Sequence, residues 1–258
     1  MKKYFIFLLA FTLILSGCNS KYAKSNIDVN EAFDKSTTYM QNVKNYKLDM
    51  NLVMKIESED VETSMDETIK MVYDLKNKTA YTSVDMSAFG MNSSAEMYAK
   101  YDDTNVTNYT KVNDNWVKST SVYNFGILEN QNVELINELK TAYQIKEIEA
   151  DKNNYNYEVL ISKEGFANIM KATNTNTDEF TSLSSMITDN IKFKLSLDKE
   201  TFAISKIDFD LLDMIKDKKV EGTELKEFYI SMKIYDYDKN DDVIIPEDAL
   251  NAKELEEN

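Results

Sequence analysis

The sequence predicts an α+β fold in which a few amphipathic helices cover one face of a curved antiparallel sheet. Two observations lead to this prediction. In most of the chain, apolar residues alternate with polar ones, which is typical of strands that bury one face only. A few shorter segments repeat their apolar residues every three or four positions, as amphipathic helices do. The 258 residues include only 5 glycines and 1 proline, so long flexible linkers are not expected.

The first predicted helix follows Asp28. Asp28 and Glu31 match a capping box, in which the first side chain and the one three residues later accept hydrogen bonds from free backbone N–H groups. One face of this helix collects the residues Val29, Ala32, Phe33, Ser36, Thr37 and Met40. The helix is expected to end near Asn42.

Six strands are expected to follow as a meander of sequential neighbours. They cover residues 46–56, 69–75, 80–86, 95–101, 106–112 and 116–118. The connections between them are polar, as at residues 57–62, 77–78, 102–103 and 113–115. Strands that alternate in polarity and are joined by short turns are typical of antiparallel pairing.

The second half of the chain also combines helices with strands. Helices are expected at about residues 129–142, at 166–170 and at 180–187, and strands at 155–161, 191–197, 202–209 and 228–234. Between Ile204 and Ile207 the alternation slips by one residue, which indicates a β-bulge. Residues 243–245 are predicted to form a terminal strand that Pro246 stops. The tail after Asp248 is acidic and is expected to fray.

The N-terminus carries the pattern of an export signal. Two lysines precede an apolar run at residues 4–15, which has no charge and is too short to span a bilayer. The following Leu-Ser-Gly-Cys, residues 15–18, resembles a bacterial lipobox. That resemblance implies cleavage between Gly17 and Cys18 and attachment of lipid, such as palmitate, to the cysteine thiol. The alternative is an ordinary signal peptide with an incidental cysteine.

These features divide the chain into four parts. Residues 1–17 are predicted to be a lipoprotein signal peptide, residues 18–27 a lipidated tether, residues 28–250 a single domain, and residues 251–258 an acidic tail. The tether between Cys18 and the first helix spans at most about 35 Å when it is extended. The folded part is therefore expected to lie close to the outer face of the cell membrane.

The composition excludes several classes of function. The chain has no histidine and 1 cysteine, and its 30 basic residues are all lysine. Histidine bases, disulfides, cysteine-ligated metals and bidentate arginine clamps are therefore not available. A formal net charge of −15 argues against binding to nucleic acid or to anionic lipid head groups. We expect no enzymatic activity and no cofactor.

Several features together carry a resemblance to a family. They are the lipobox, the early helix that leads into residues 46–56, Glu96-Met97-Tyr98, Asn115-Trp116-Val117-Lys118 and the closing residues 243–247. The chain resembles uncharacterised lipoproteins of Gram-positive bacteria that are similar to the LolA/LppX group of lipoprotein carriers. This resemblance implies that the domain is LolA-like, an open half-barrel of antiparallel strands with helices packed on its concave face. It also implies an apolar cavity that accepts acyl chains.

Methionines mark the expected cavity. Met50, Met54, Met71 and Met97 lie on the apolar phase of predicted strands, and flexible thioether side chains suit surfaces that fit varied apolar partners. Trp116, the only tryptophan, is assigned to the same cavity. The alternative is that all five are ordinary packing residues. The 16 tyrosines show no cluster along the sequence that would mark a sugar- or peptide-binding face.

Two other kinds of site compete with the apolar cavity. Asp236, Asp238, Asn240 and Glu247 match the ligand spacing of a calcium loop, although Asp241 stands where that loop needs glycine. The alternative there is a polar hairpin turn. A glycosidase needs only two carboxylates, but 45 acidic residues distinguish no particular pair.

The sequence therefore predicts a lipid-anchored extracytoplasmic protein that binds a lipid or another apolar ligand without catalysis. Its partners would be the membrane, through the lipid on Cys18, and the apolar ligand. The alternative is a cell-envelope module that contacts another envelope protein and has no small ligand. An apolar cavity between sheet and helices would separate these two possibilities.

Overall fold

The structure is a computed structural model, which describes residues 27–59, 61–123, 125–142, 144–148, 150–172, 190–215, 218–220, 222–239 and 242–254. The predicted signal peptide, Cys18 and most of the predicted tether lie outside the described residues. So do the helix predicted at 180–187, Asn240 and the last four residues of the predicted tail.

The described residues form four α-helices, one 3₁₀ turn and thirteen strands. The helices are α1 (Val29–Met40), α2 (Phe125–Leu139), α3 (Lys163–Ala172) and α4 (Glu247–Leu250), and the 3₁₀ turn is Leu212–Met214. The first six strands are β1 (Asn45–Ser58), β2 (Val61–Asp74), β3 (Thr79–Ala88), β4 (Met91–Tyr101), β5 (Asn105–Val112) and β6 (Asn115–Val122). The others are β7 (Gln144–Glu147), β8 (Asn154–Ser162), β9 (Asn190–Asp198), β10 (Ile204–Asp210), β11 (Lys219–Val220), β12 (Thr223–Tyr235) and β13 (Lys253–Glu254).

All thirteen strands belong to one sheet. Its order is β13-β6-β5-β4-β3-β2-β1-β12-β10-β9-β8-β7, with β11 paired to β12 outside this path. The strand pairs are antiparallel except for β13, which lies parallel to β6. Within the described residues, the two ends of the path do not pair with each other, so the sheet stays open. The predicted fold class, an open antiparallel half-barrel with amphipathic helices on its concave face, is confirmed.

The order of the meander from β1 to β6 matches the prediction, but β2 begins at Val61, eight residues before its predicted start, so residues 57–58 and 61–62 of the predicted turn lie in strands. The centre of the sheet joins distant parts of the chain. β1 pairs with β2 on one side and with β12 on the other, so that Met50 lies between Ile69 and Met232. Residues directly opposite each other in an antiparallel pair point to the same side of the sheet. The sheet therefore has an inner face, which carries Met50 and Tyr46, and an outer face, which carries their sequence neighbours.

The core lies between the helices and the inner face. It collects buried side chains from α1, α2, β8, β9, β10 and β12, among them Phe33, Ile136, Leu139, Tyr157, Leu195, Ile204 and Ile234. The rings of Phe33 and Tyr157 meet edge to face with their centroids 5.9 Å apart. Burial of one large apolar side chain stabilises the fold by about 1.5–3 kcal/mol. This cluster therefore holds the helices against the β12–β8 half of the sheet.

Two local predictions are confirmed by hydrogen bonding. The Asp28 side chain accepts bonds from the N–H groups of Asn30 and Glu31, at 2.9 and 3.4 Å, and so caps α1. The Glu31 side chain, the other half of the predicted capping box, instead pairs with Lys35 at 2.8 Å. The register between β9 and β10 shifts between Ile204 and Lys206, where the alternation of the sequence slips. The bulge keeps both Ile204 and Ile207 buried.

The end of the chain differs from its prediction. Residues 243–245 do not form a strand, because the Val243 N–H donates to the Asp74 carboxylate (3.2 Å) and its carbonyl accepts a bond from Thr79 Oγ1 (3.3 Å). Asp74 and Thr79 lie on the outer face, so the C-terminal segment crosses that face. It continues into α4, which contacts β5 and β6, and into β13. The predicted fraying is therefore wrong for residues 249–254. The four-residue strand β7 was not predicted.

Candidate functional site

The inner face of β1–β4 carries a group of half-buried apolar side chains beside the core. Met54 lies opposite Met65 on β2, and Met71 and Met97 both lie opposite Thr82 on β3. With Met50 they share one side of the sheet. We call this surface the methionine face, and its members are Met50, Leu52, Met54, Ile56, Met65, Ile69, Met71, Val84 and Met97. The structure thus brings together the four methionines that the sequence assigned to a cavity.

Tyrosines border the methionine face at one end. Tyr46 and Tyr73 lie with their ring centroids 4.8 Å apart, and Tyr101 and Tyr123 lie 5.3 Å apart. The hydroxyl of Tyr73 donates to the sulfur of Met71 at 3.1 Å. Burial raises the pKa of Tyr73 and of Tyr101 far above the ordinary value, so both side chains are neutral at physiological pH. This end of the surface is therefore uncharged.

Two hairpin turns lie at the opposite end. β1 and β2 are joined beside Val61, and β3 and β4 are joined by Phe89 and Gly90. Phe89 and Gly90 both have a positive φ, 53° and 75°, as a tight two-residue hairpin requires. Val61, Phe89 and Met91 are 64%, 64% and 69% exposed. The turns therefore present apolar side chains to solvent.

The methionine face contains almost no charge. On the inner side of the strands β1 to β4, Glu67 is the one charged residue, and it lies between Leu52 and Met86. The remaining inner positions are apolar, hydroxyl-bearing or aromatic. Binding sites for apolar small molecules combine such a lining with few polar groups. The surface is therefore suited to a largely apolar ligand.

Trp116 does not belong to the methionine face. On β6 it is Val117 that shares the inner side with Met97, through Thr110 on β5. Trp116 points outward, and its ring packs against that of Tyr98 at 5.7 Å. The assignment of Trp116 to the cavity is corrected, because neighbouring residues of a strand point to opposite sides.

The acidic residues of the possible calcium loop bind protein donors. Asp236 forms an ion pair with Lys47 at 3.0 Å, and Asp238 Oδ1 accepts bonds from the N–H groups of Lys44 and Asn45 at 2.7 and 3.2 Å. Glu247 begins α4 and is exposed. In the described part of the chain, no group of three or more acidic side chains could hold a metal ion. Asp236 and Asp238 instead fasten the chain after β12 to the start of β1.

Asp208 on the outer face collects three donors that the sequence did not reveal. Its carboxylate accepts bonds from Lys206, Tyr229 and Ser231, each at 2.7 Å, and its side chain is 15% exposed. Burial alone would raise the pKa of Asp208, but these hydrogen bonds outweigh burial and hold the pKa below its usual value. Burial and the bond to Asp208 raise the pKa of Tyr229 to about 12. The network ties β10 to β12.

No helix in the described ranges is long and apolar enough to cross a membrane. Helices α1, α2 and α3 contribute side chains to the core on the inner face, and α4 belongs to the C-terminal segment.

Comparison with known proteins places the described domain in context. Residues 28–254 match a family that is described as a family of unknown function, DUF6612. No match was found among curated proteins.

Three solved structures that match this chain come from different bacteria. One is LprF from Mycobacterium bovis, with 10% identity over 84% of this chain and 95% of that chain and a TM-score of 0.45. A DUF1329 family protein from Desulfovibrio piger has 9% identity over 81% and 93% of the two chains and a TM-score of 0.29. A LolA superfamily protein from Nitrosomonas europaea has 9% identity over 81% and 92% and a TM-score of 0.25.

Proposed function

We propose a function for this chain, which belongs to the DUF6612 family of unknown function. In our proposal it is a lipoprotein, held at the outer face of the cell membrane by lipid on Cys18. Residues 1–17 are removed as a signal peptide, residues 18–27 form the tether, residues 28–250 form the binding domain, and residues 251–258 form an acidic tail. The domain binds a lipid or another apolar ligand on the methionine face and catalyses no reaction.

The ligand proposal rests on the partial exposure of the apolar side chains of the methionine face. Its side chains are apolar and only half-buried, although they lie beside a fully packed core. Each methylene group that a bound acyl chain removes from water contributes about 0.8 kcal/mol. Methionine side chains adjust their shape easily, so the face suits chains of differing length or branching. A bound acyl chain would cover surface that the described helices leave partly open to solvent.

The anchor proposal is supported by the lipobox and by energetics. One acyl chain binds a membrane only marginally, whereas two or more hold a protein stably. Radioactive palmitate fed to cells should label the wild-type protein and should not label Cys18→Ala. Equal labelling of both proteins would show that Cys18 is not the lipidated residue.

The ligand proposal is tested by native mass spectrometry. The protein is extracted in mild detergent from cells that make the wild type, and the spectrum is searched for mass beyond the covalently attached lipid. We expect a releasable lipid species that organic solvent extracts. A spectrum with the covalent anchor alone, from wild-type cells and after incubation with phospholipid micelles, would contradict ligand binding.

A second candidate function is docking to another envelope protein. It is favoured by the exposed Val61, Phe89 and Met91 at the hairpin turns, since exposed apolar groups mark interaction sites. Acidic residues, Glu59 and Glu62, flank Val61, so a basic partner surface would fit. Cross-linking in cells would test it: a cross-linked product that is lost in Phe89→Ser and kept in Cys18→Ala would support docking at the turns.

A further inference from the structure

A strip of aromatic side chains crosses the outer face of the sheet. Tyr81 on β3 lies directly opposite Tyr98 on β4, and their ring centroids are 5.0 Å apart. Trp116 on β6 continues the strip at 5.7 Å from Tyr98. All three rings are half-buried. Elsewhere on the outer face a row of polar residues crosses the strands, with Asn51, Thr68, Asp85 and Ser94 opposite one another. We call Tyr81, Tyr98 and Trp116 the aromatic strip.

Charged groups hold the aromatic strip in place. Tyr81 donates its hydroxyl proton to Glu96 at 3.1 Å, and Lys111 pairs with the other oxygen of the same carboxylate at 3.5 Å. The Lys111 ammonium also lies 6.0 Å from the centroid of the Trp116 ring. These partners lie in neighbouring strands, so the hydrogen bond and the ion pair fix the orientation of the rings.

The strip ends in a groove beside Trp116. One wall is the turn between β5 and β6, and the other is the C-terminal segment from α4 to β13. The groove has a volume of about 730 Å³, and beside Trp116 its lining contains Lys111, Asp114, Asn115, Asp248, Asn251 and Lys253. This volume lies in the range of small-molecule binding sites. The lining contains two carboxylates, two ammonium groups and two amides, so its formal charge is balanced.

The chemistry of the groove selects among ligand classes. An acyl chain would leave the carboxylates and amides of the lining without hydrogen-bond partners, which is costly. A peptide that adds a strand needs a free sheet edge, but β13 occupies the edge of β6 at Val117 and Lys118. The balanced charge favours an uncharged ligand. A sugar ring has a face of C–H groups that fits an aromatic ring and a rim of hydroxyls that fits carboxylates and amides.

We propose that this groove binds an uncharged glycan. One sugar ring stacks on Trp116, and the next sugars of the chain contact Tyr98 and Tyr81. Asp114, Asn115, Asp248 and Asn251 provide hydrogen bonds to the hydroxyls. The site lies on the side of the sheet opposite to the methionine face, so it does not depend on lipid binding. It would give a membrane-anchored protein a second, independent attachment to a polysaccharide.

The experiment uses the intrinsic fluorescence of Trp116, because the chain has a single tryptophan. The full chain in mild detergent is titrated with cellohexaose, chitohexaose and maltohexaose up to about 1 mM. We expect at least one of them to shift the emission saturably. Tyr98→Ala should weaken that binding about tenfold, the loss of one aromatic contact. Tyr235→Ala, on the outer face three strands away from Tyr81, is the matched control and should bind as the wild type does.

Three results would overturn the proposal. They are no saturable shift with any of the three sugars, equal affinity of wild type and Tyr98→Ala when both have the same circular dichroism spectrum, or a shift caused by a mixture of short peptides and by none of the sugars. If Tyr98→Ala is unfolded, Asp248→Ala replaces it, because Asp248 is exposed and alanine removes its hydrogen-bonding carboxylate. An unchanged affinity in that variant would also contradict the proposal.

Discussion

A lysine on the methionine face should separate ligand binding from stability. Met54 points to the inner face and lies opposite Met65 and Phe228. Its neighbour Val53 points to the outer face, opposite Asp66 and Tyr229. Met54→Lys and Val53→Lys therefore introduce the same charge at adjacent positions of one strand, on opposite sides of the sheet. The first should impair binding of an apolar ligand and the second should not.

The size of the effect follows from the burial of Met54. Full burial of a methionine side chain stabilises a protein by about 1.5–3 kcal/mol. Met54 is half-buried, and a lysine stem still covers apolar surface while its ammonium reaches water. We therefore expect Met54→Lys to lower the free energy of unfolding by about 1 kcal/mol. A bound acyl chain would lose contact at two or three methylenes, about 2 kcal/mol, which reduces affinity more than tenfold.

The assay compares the amount of lipid that copurifies with each protein, measured by native mass spectrometry, with urea unfolding as the measure of stability. We expect Met54→Lys to retain less than a tenth of the lipid of the wild type, and Val53→Lys to retain all of it. If Met54→Lys holds as much lipid as the wild type, the methionine face is not the binding surface. Equal losses in both variants would mean that charge on β1 acts through stability alone.

Two further predictions concern the acidic residues. Asp208→Asn should lower the free energy of unfolding at pH 7, because the three donors lose a charged acceptor. We expect a loss of only about 1–2 kcal/mol, since Lys206, one of these donors, is half exposed and screened. Because the folded pKa of Asp208 lies below the unfolded one, this contribution is complete above about pH 5 and is lost as the pH falls through the folded pKa, so the difference in unfolding free energy between the two proteins should shrink as the solution is acidified. Asp238→Ala should cost about 0.5–1.5 kcal/mol through the lost bonds to Lys44 and Asn45, and millimolar calcium should leave the melting temperature of the wild type unchanged. A calcium-dependent rise in melting temperature that Asp238→Ala removes would restore the calcium loop.

Local patterns were sufficient for much of the fold. The alternation of β1 and the helical spacing of α1 are properties of contiguous residues, and so is the cap at Asp28. The bulge at Ser205 was also predictable, because an extra residue shifts the phase of alternation within one strand. In each case the physical cause lies within about ten residues, so the sequence carries the whole signal.

The failed predictions have causes outside their own segments. Residues 243–245 have the apolar side chains of a strand, but the backbone of Val243 bonds to the side chains of Asp74 and Thr79. Alternation predicted that Trp116 and Val117 point to opposite sides, and yet it could not decide which of them joins Met97. That decision depends on the register of β4, β5 and β6.

The amino-acid sequence alone specifies the types and order of most elements, the apolar character of one side of the strands, and the absence of histidine, arginine and a second cysteine. These follow from residue identity and from spacing along the chain. The pairing of β1 with β12, the shared face of four methionines and the packing of Trp116 against Tyr98 on the other face depend on how distant segments come together. Pairing between residues up to 188 positions apart sets the register, and a shift of one residue moves every side chain of a strand to the other face.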